Sequence, residues 1–125
     1  MYPPIFETVA ADSDVQTNLG TSPVRFYPFG KAPQGVSKPY AVWQTITGLP
    51  ENYLNELPDI DRHSLQVDIY ADSVDSARDA AKAIRDSVEP VAHITAWRGE
   101  SVEPETGSYR VSFDVDWMVS RETVS

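Results

Sequence analysis

The 125-residue chain contains no cysteine. This absence excludes a disulfide framework, a thiolate nucleophile and a metal site built on thiolates. Histidine is also scarce. His63 and His93 are the only two, and they are far apart in the sequence. Two isolated histidines without cysteine do not predict a zinc site.

Basic residues are few, since 10 lysines and arginines face 19 aspartates and glutamates, which leaves a net charge of −9. Nucleic-acid affinity comes mainly from Lys and Arg that neutralise phosphates, so this balance argues against a protein that grips nucleic acid. No apolar run approaches the roughly 18–20 residues that span a bilayer. The start of the chain, Met1 to Pro4, has neither the basic nor the apolar segment of a signal peptide. We therefore expect a soluble protein with no membrane partner.

What the chain does contain is enough apolar material for a core. Apolar residues make up 41% of the sequence, and 13 residues are aromatic. A chain of this length fits one hydrophobic core, so we expect a single domain over residues 1–125.

The first 20 residues carry a helical pattern. Pro3 and Pro4 suit the first turn of a helix, and apolar residues then recur at helical spacing as far as Ala10. A second short helical turn is expected to end at Leu19, with Gly20 as its stop.

Five further stretches predict strands, because they alternate or are rich in β-branched and aromatic residues. They are 24–29, 39–47, 61–71, 91–98 and 107–119. Residues 99–106 are expected to form an acidic turn between the last two strands, which would make a hairpin. A helix over 73–88, capped by Asp72 or Ser73 and with Val74 in its apolar stripe, is expected to cover the apolar sheet face. The predicted order is α-β-β-β-α-β-β, a mainly antiparallel α+β domain.

Three carboxylates are candidates for a catalytic or cation-binding site. Asp114 and Asp116 lie two residues apart on the polar side of one strand, and Asp68 lies on the polar side of another. A hydrolase could use a pair of acids, and a cation could use three. A polar strip facing solvent or a lumen is the preferred interpretation. His63 falls on an apolar strand face, where a core or interface role is preferred.

The usual motifs of catalysis are missing from the sequence. No dinucleotide or phosphate-binding glycine motif, no nucleophile elbow and no zinc-protease motif occurs. We therefore expect no enzymatic activity and no cofactor.

The predicted connection over 48–60 is long for a small domain. Most hairpin loops have two to five residues, and longer loops are usually functional. Tyr53, Leu54 and Leu57 add apolar side chains to it, which favours contact with another protein over exposure to solvent.

Several segments together resemble one family of phage proteins. They are Tyr27–Gly35, Pro39–Gln44, Pro50–Asn55, Pro58–Arg62, Gln66–Tyr70 and Tyr109–Val115. In this order, over nearly the whole chain, they look like the tail-completion or tail-terminator proteins of long-tailed bacteriophages and prophages.

The resemblance implies a structural protein of the virion, present in the host cytoplasm during assembly. Such proteins form a ring, usually a hexamer, on the last ring of the tail tube. The ring stops tube polymerisation and presents a surface to the head connector. The implied partners are further copies of the chain, the major tail tube protein and the connector, while DNA passes through the ring unbound. The family supplies no catalytic residue.

A channel role requires a ring, because a domain of this length has a radius of gyration of only about 14 Å. An acidic bore would repel phosphates, so Asp68, Asp114 and Asp116 are the candidate channel-facing residues. The candidate contacts to a neighbouring subunit or ring come from the long connection and its end. They are Asn52, Tyr53, Leu54, Asp59 and Arg62.

Three alternatives stay open at this point. The connection over 48–60 could fold back over its own sheet instead of meeting a neighbour. The protein could be a head-tail joining or head-completion protein of the same assembly. It could also be a small enzyme or ligand-binding domain from outside phages, for which a deep apolar pocket would be needed.

Overall fold

The computed structural model describes residues 3–50 and 60–120, which form three helices and five strands. The elements in chain order are α1 (Ile5–Ala10), α2 (Ser13–Leu19), β1 (Phe26–Pro28), β2 (Tyr40–Pro50), β3 (Ile60–Ala71), α3 (Val74–Val88), β4 (His93–Val102) and β5 (Tyr109–Ser120). This arrangement confirms the predicted α+β class. The expected second helical turn is a complete helix, α2.

The five strands form one sheet in the order β1-β2-β3-β5-β4. Only β1 and β2 run parallel, and the other neighbouring pairs are antiparallel. The two long strands β3 and β5 occupy the centre and pair along their whole length, from Ile60 opposite Ser120 to Ala71 opposite Tyr109. β4 and β5 are antiparallel neighbours, as the predicted hairpin requires.

Side-chain caps set where the helices begin. The Asp12 carboxylate accepts hydrogen bonds from the backbone N–H groups of Asp14 and Val15, which fixes the start of α2. The Ser73 hydroxyl accepts from the N–H of Ser76 and so caps α3. These bonds satisfy donors that the first helical turn leaves without a partner.

The core lies between the helices and one face of the sheet. Alternation in β3 and β5 delivers side chains to this face, among them the fully buried Val67, Ile69 and Phe113. α3 presents a stripe of small and branched residues to the same space, including Ala81 and Ile84. The predicted covering role of this helix is confirmed. Val74, which the pattern placed in the stripe, is exposed instead.

β4 is the strand whose bounds the sequence predicted least well. It runs from His93 to Val102, so the expected strand over 91–98 and acidic turn over 99–106 are wrong at their ends. Register shifts occur at Thr95 and at Arg98, and at each of them β4 carries one extra residue against β5. Each bulge shifts the alternation of inward and outward side chains by one residue. The sequence of β4 therefore lacks the period of two that predicts a strand.

The connection between β2 and β3 is shorter than predicted. β2 continues through Pro50 and β3 already begins at Ile60, so both ends of the expected loop over 48–60 belong to strands. Within the described residues, no helix has the length and apolar character needed to cross a membrane.

Candidate functional site

The face of the sheet that points away from the helices is polar, and we call it the open face. The register between its two central strands pairs Ser64 with Asp116, Gln66 with Asp114, Asp68 with Ser112 and Tyr70 with Arg110. The three carboxylates that the sequence singled out therefore share one face. β2 adds Gln44, opposite Gln66, and β4 adds Arg98.

Asp68 lies near the middle of the open face and is only 7% exposed. Arg110 donates to its Oδ1 from Nη2 at 2.9 Å and from Nε at 3.2 Å. Gln66 donates from Nε2 to both carboxylate oxygens at 3.2 Å. Burial lowers the pKa of the Arg110 guanidinium, but the hydrogen bond and the attraction of Asp68 outweigh this, so the pKa is raised overall. The Arg110 guanidinium is thus held in its charged form.

The other two carboxylates also have arginine partners. Arg98 donates from Nε to Oδ1 of Asp114 at 2.7 Å, and this bond raises the pKa of the guanidinium. Asp116 accepts a 2.6 Å hydrogen bond from the Ser64 hydroxyl, and its Oδ2 lies 3.8 Å from Nε of Arg62. All three bridges join residues from different strands, so they also tie the strands together.

The open face is therefore balanced in charge along its centre. Three carboxylates lie against three guanidinium groups: Asp68 with Arg110, Asp114 with Arg98, and Asp116 with Arg62. Ion pairs cancel the long-range field that each charge would produce alone. The strip that looked acidic in the sequence is a neutral polar network in the structure.

Two tyrosines extend this network toward the start of β2. Tyr40 and Tyr70 are cross-strand partners, and their rings stack with centroids 5.2 Å apart. Burial raises the pKa of the Tyr70 phenol, and the nearby Asp68 raises it further. Both phenols therefore remain neutral hydrogen-bonding groups at physiological pH.

Of the five predicted contact residues, only Arg62 is among the residues that the structure describes. Asn52, Tyr53, Leu54 and Asp59 lie outside the described residues. Arg62 is on β3, where it points to the open face and pairs with Asp116. The structure therefore links Arg62 to the carboxylate network on the open face.

The histidines occupy different surroundings. His63 is buried on the helix-covered face, which agrees with the preferred core or interface interpretation. His93 is exposed at the start of β4, opposite Asp116 in the register. Across residues 3–50 and 60–120, no three His, Asp or Glu side chains gather closely enough to hold a metal ion.

Sequence reasoning missed the partners of the three carboxylates. It placed the three carboxylates on polar strand faces but could not pair them with arginines, because pairing depends on cross-strand register. The role of Arg98 was even harder to predict, because Arg98 lies at a bulge, where the alternation of the sequence does not show which face a side chain occupies. The excess of arginine over lysine on these strands is the one available hint, because Arg is preferred for partly buried ion pairs.

Comparisons with known proteins agree with the sequence resemblance. The family model for tail completion protein gp17 matches residues 3–120. Among solved structures, a chain in the virion of a native gene transfer agent (GTA) particle has the same fold, with a TM-score of 0.62. The match covers 93% of this chain and 91% of that chain at 12% identity. None of the curated protein sequences matches this chain.

The family match extends over all eight elements of the fold, from α1 to β5. We conclude that the chain belongs to the tail completion protein gp17 family and is a structural protein of the tail or neck of a phage-like virion.

Proposed function

We propose that this protein forms a closed ring at the head-proximal end of the tail tube. There it stops tube polymerisation and presents the surface that joins the head connector. Its partners are further copies of itself in a ring, which we propose to be a hexamer, the major tail tube protein and the connector. The observation that carries this proposal is the family match over residues 3–120.

The open face is our candidate for the wall of the DNA channel. Phosphates are held by basic side chains that lack other partners. On this face Arg62, Arg98 and Arg110 each already pair with a carboxylate. A wall of satisfied ion pairs gives passing DNA little to hold, and the net negative charge of the chain opposes binding further.

The connection between β2 and β3 remains our candidate for contact between subunits or rings, through Asn52, Tyr53, Leu54 and Asp59. Arg62 belongs to this proposal only through its position at the start of β3. We propose no catalytic role for any residue, because the polar groups of the open face serve to neutralise one another.

Electron microscopy of particles assembled without the protein tests the terminator role. We expect abnormally long tail tubes that are detached from heads, and plasmid-borne wild-type protein should restore tails of uniform length. Tails of normal length that fail to join heads would replace the proposal with head-tail joining. Normal, head-joined tails would contradict both roles.

A further inference from the structure

Two apolar surfaces lie at opposite edges of the sheet. β1 forms one edge and β4 the other, and three strands lie between them. At about 4.8 Å for each strand spacing, these edges are about 19 Å apart. Single exposed apolar side chains are normal, but two clusters on one small domain point to contacts with other proteins.

The first surface is concave, and we call it the aromatic groove. It is a cavity of about 640 Å³ between α1, the end of β1 and β2, with Phe6, Phe29 and Trp43 in its wall. Phe29 is 67% exposed. The Trp43 ring is fixed by Phe26, whose centroid lies 4.6 Å away, and by Phe6 at 6.2 Å. The wall is therefore preformed rather than shaped by a ligand.

The second surface runs along β4, and we call it the Trp97 ridge; its exposed apolar side chains are Trp97 and Val102. These side chains are 50% and 53% exposed. The Trp97 ring packs on Phe113 with centroids 5.1 Å apart, and the Arg85 guanidinium lies 5.8 Å above it. An anchored, half-exposed Trp beside an Arg has the composition of an interface hot spot.

A closed ring with more than two subunits needs two different surfaces on every copy, because each subunit meets its neighbours head to tail. We propose that the Trp97 ridge of one copy inserts into the aromatic groove of the next. This inference rests on the proposed ring. It deepens that proposal by naming the two surfaces that meet between neighbouring subunits. They lie at opposite edges of the sheet, so each subunit can contact one neighbour through each edge.

Charge favours the same pairing. Glu7 lines the aromatic groove, and no ion pair among the described residues involves it. Arg85 accompanies Trp97 and has only long contacts of its own, at 3.3 Å to Asp86 and 4.0 Å to Glu89. Insertion of the ridge would bring the Arg85 guanidinium, which already contacts Asp86 and Glu89, to a further carboxylate that has no ion pair among the described residues.

Cross-linking inside assembled particles tests the contact directly, because the natural chain has no cysteine. Lys31→Cys places a thiol two residues from Phe29 in the chain, and Thr95→Cys places one two residues from Trp97; both positions are exposed. With a short bismaleimide, particles carrying the double variant should give a ladder that ends at the number of subunits in the ring. Each single variant should stay monomeric, because a heterologous interface never brings two copies of one position together.

The absence of a ladder from particles that contain the double variant would overturn the pairing. A cross-link to the tube protein or the connector instead would also overturn it. Neither result would affect the proposed function, which fails if particles assembled without the protein have tails of normal length.

Substitutions provide an independent test with a matched control. Trp97→Asp should lower incorporation into particles by about tenfold or more, because a buried charge replaces a hot-spot ring. Trp97→Phe should retain incorporation. Val91→Asp adds the same charge at an exposed site, between α3 and β4, that belongs to neither surface nor to the open face, and should also retain it. Normal incorporation of folded Trp97→Asp protein, with folding checked by a cooperative thermal transition, would contradict the proposal.

Discussion

At the scale of single residues, Asp68 shows why a charge can be buried on the outer face of a sheet. Removal of a carboxylate from water is costly unless its oxygens find other donors. Arg110 and Gln66 provide those donors from both sides. The sequence predicts which strand face Asp68 occupies. It does not predict Arg110 as the partner, because a lone alternating pattern carries no information on cross-strand register.

Asp68→Asn should destabilise the fold, because it leaves the Arg110 guanidinium partly buried without a counter-charge. Hydrogen bonds to charged groups contribute about 1.5–3 kcal/mol, so we expect a loss of about 2 kcal/mol in urea unfolding. Asp72→Asn is the matched control, since Asp72 is highly exposed and lies 3.6 Å from Lys38. Its loss should stay below about 0.5 kcal/mol. Equal losses for the two variants would show that the Asp68 network contributes no more to the free energy of unfolding than an exposed ion pair does.

At the scale of elements, the strength of the local pattern decides what the sequence can predict. α3 has a cap, a stripe and a clear end, and its predicted range of 73–88 differs from the observed helix by one residue. β3 and β5 alternate cleanly because one face is buried and the other is polar. β4 lacks such a contrast, since nearly all its residues are exposed and two bulges interrupt it. The aromatic groove and the Trp97 ridge could not be predicted from the sequence, because they depend on how the edge strands pack against the helices.

The cap of α3 gives a prediction at this scale. Ser73→Ala removes the oxygen that accepts from the Ser76 N–H at 3.1 Å, and it should lower stability by about 1 kcal/mol in urea unfolding. Ser73→Asp keeps an acceptor and adds a negative charge at the positive end of the helix. This variant should match the wild-type protein or exceed it. An Asp variant as unstable as the Ala variant would exclude the cap as the cause.

At the scale of the whole molecule, part of the negative charge lies on the helices, away from the open face. Among the described residues, seven acidic but only three basic side chains belong to the helices and their caps. The ion pairs of the open face cancel one another. In the proposed ring, this division would leave the ion pairs of the channel wall neutral and put a net charge of −4, seven acidic minus three basic side chains, on the helical side of the sheet. The helical side thus carries part of the net charge of −9, while the ion pairs of the proposed channel face add nothing to it.

This charge makes the response of the whole protein to acid informative, because two effects oppose each other. Protonation relieves the mutual repulsion of the acidic excess, which favours the folded state. It also removes ion pairs. The hydrogen bond from Arg78 lowers the pKa of Glu100 below its ordinary value of 4.5, and the bond from Lys82 lowers that of Asp86 below 3.8. Groups with a lowered folded pKa stabilise the fold above their unfolded pKa, and this stability is lost as the pH falls through the folded pKa.

We expect the second effect to prevail below about pH 4.5, because the ion pairs are short while the repulsion is spread over many distant charges. The midpoint of urea unfolding should change little between about pH 7 and pH 5 and then fall as the pH drops further. The double variant Glu100→Gln, Asp86→Asn should be less stable at pH 7 and should lose less of its stability in acid. A wild-type protein that becomes more stable below pH 4.5 would show that relief of repulsion prevails. An unchanged acid slope in the double variant would mean that other carboxylates carry the dependence.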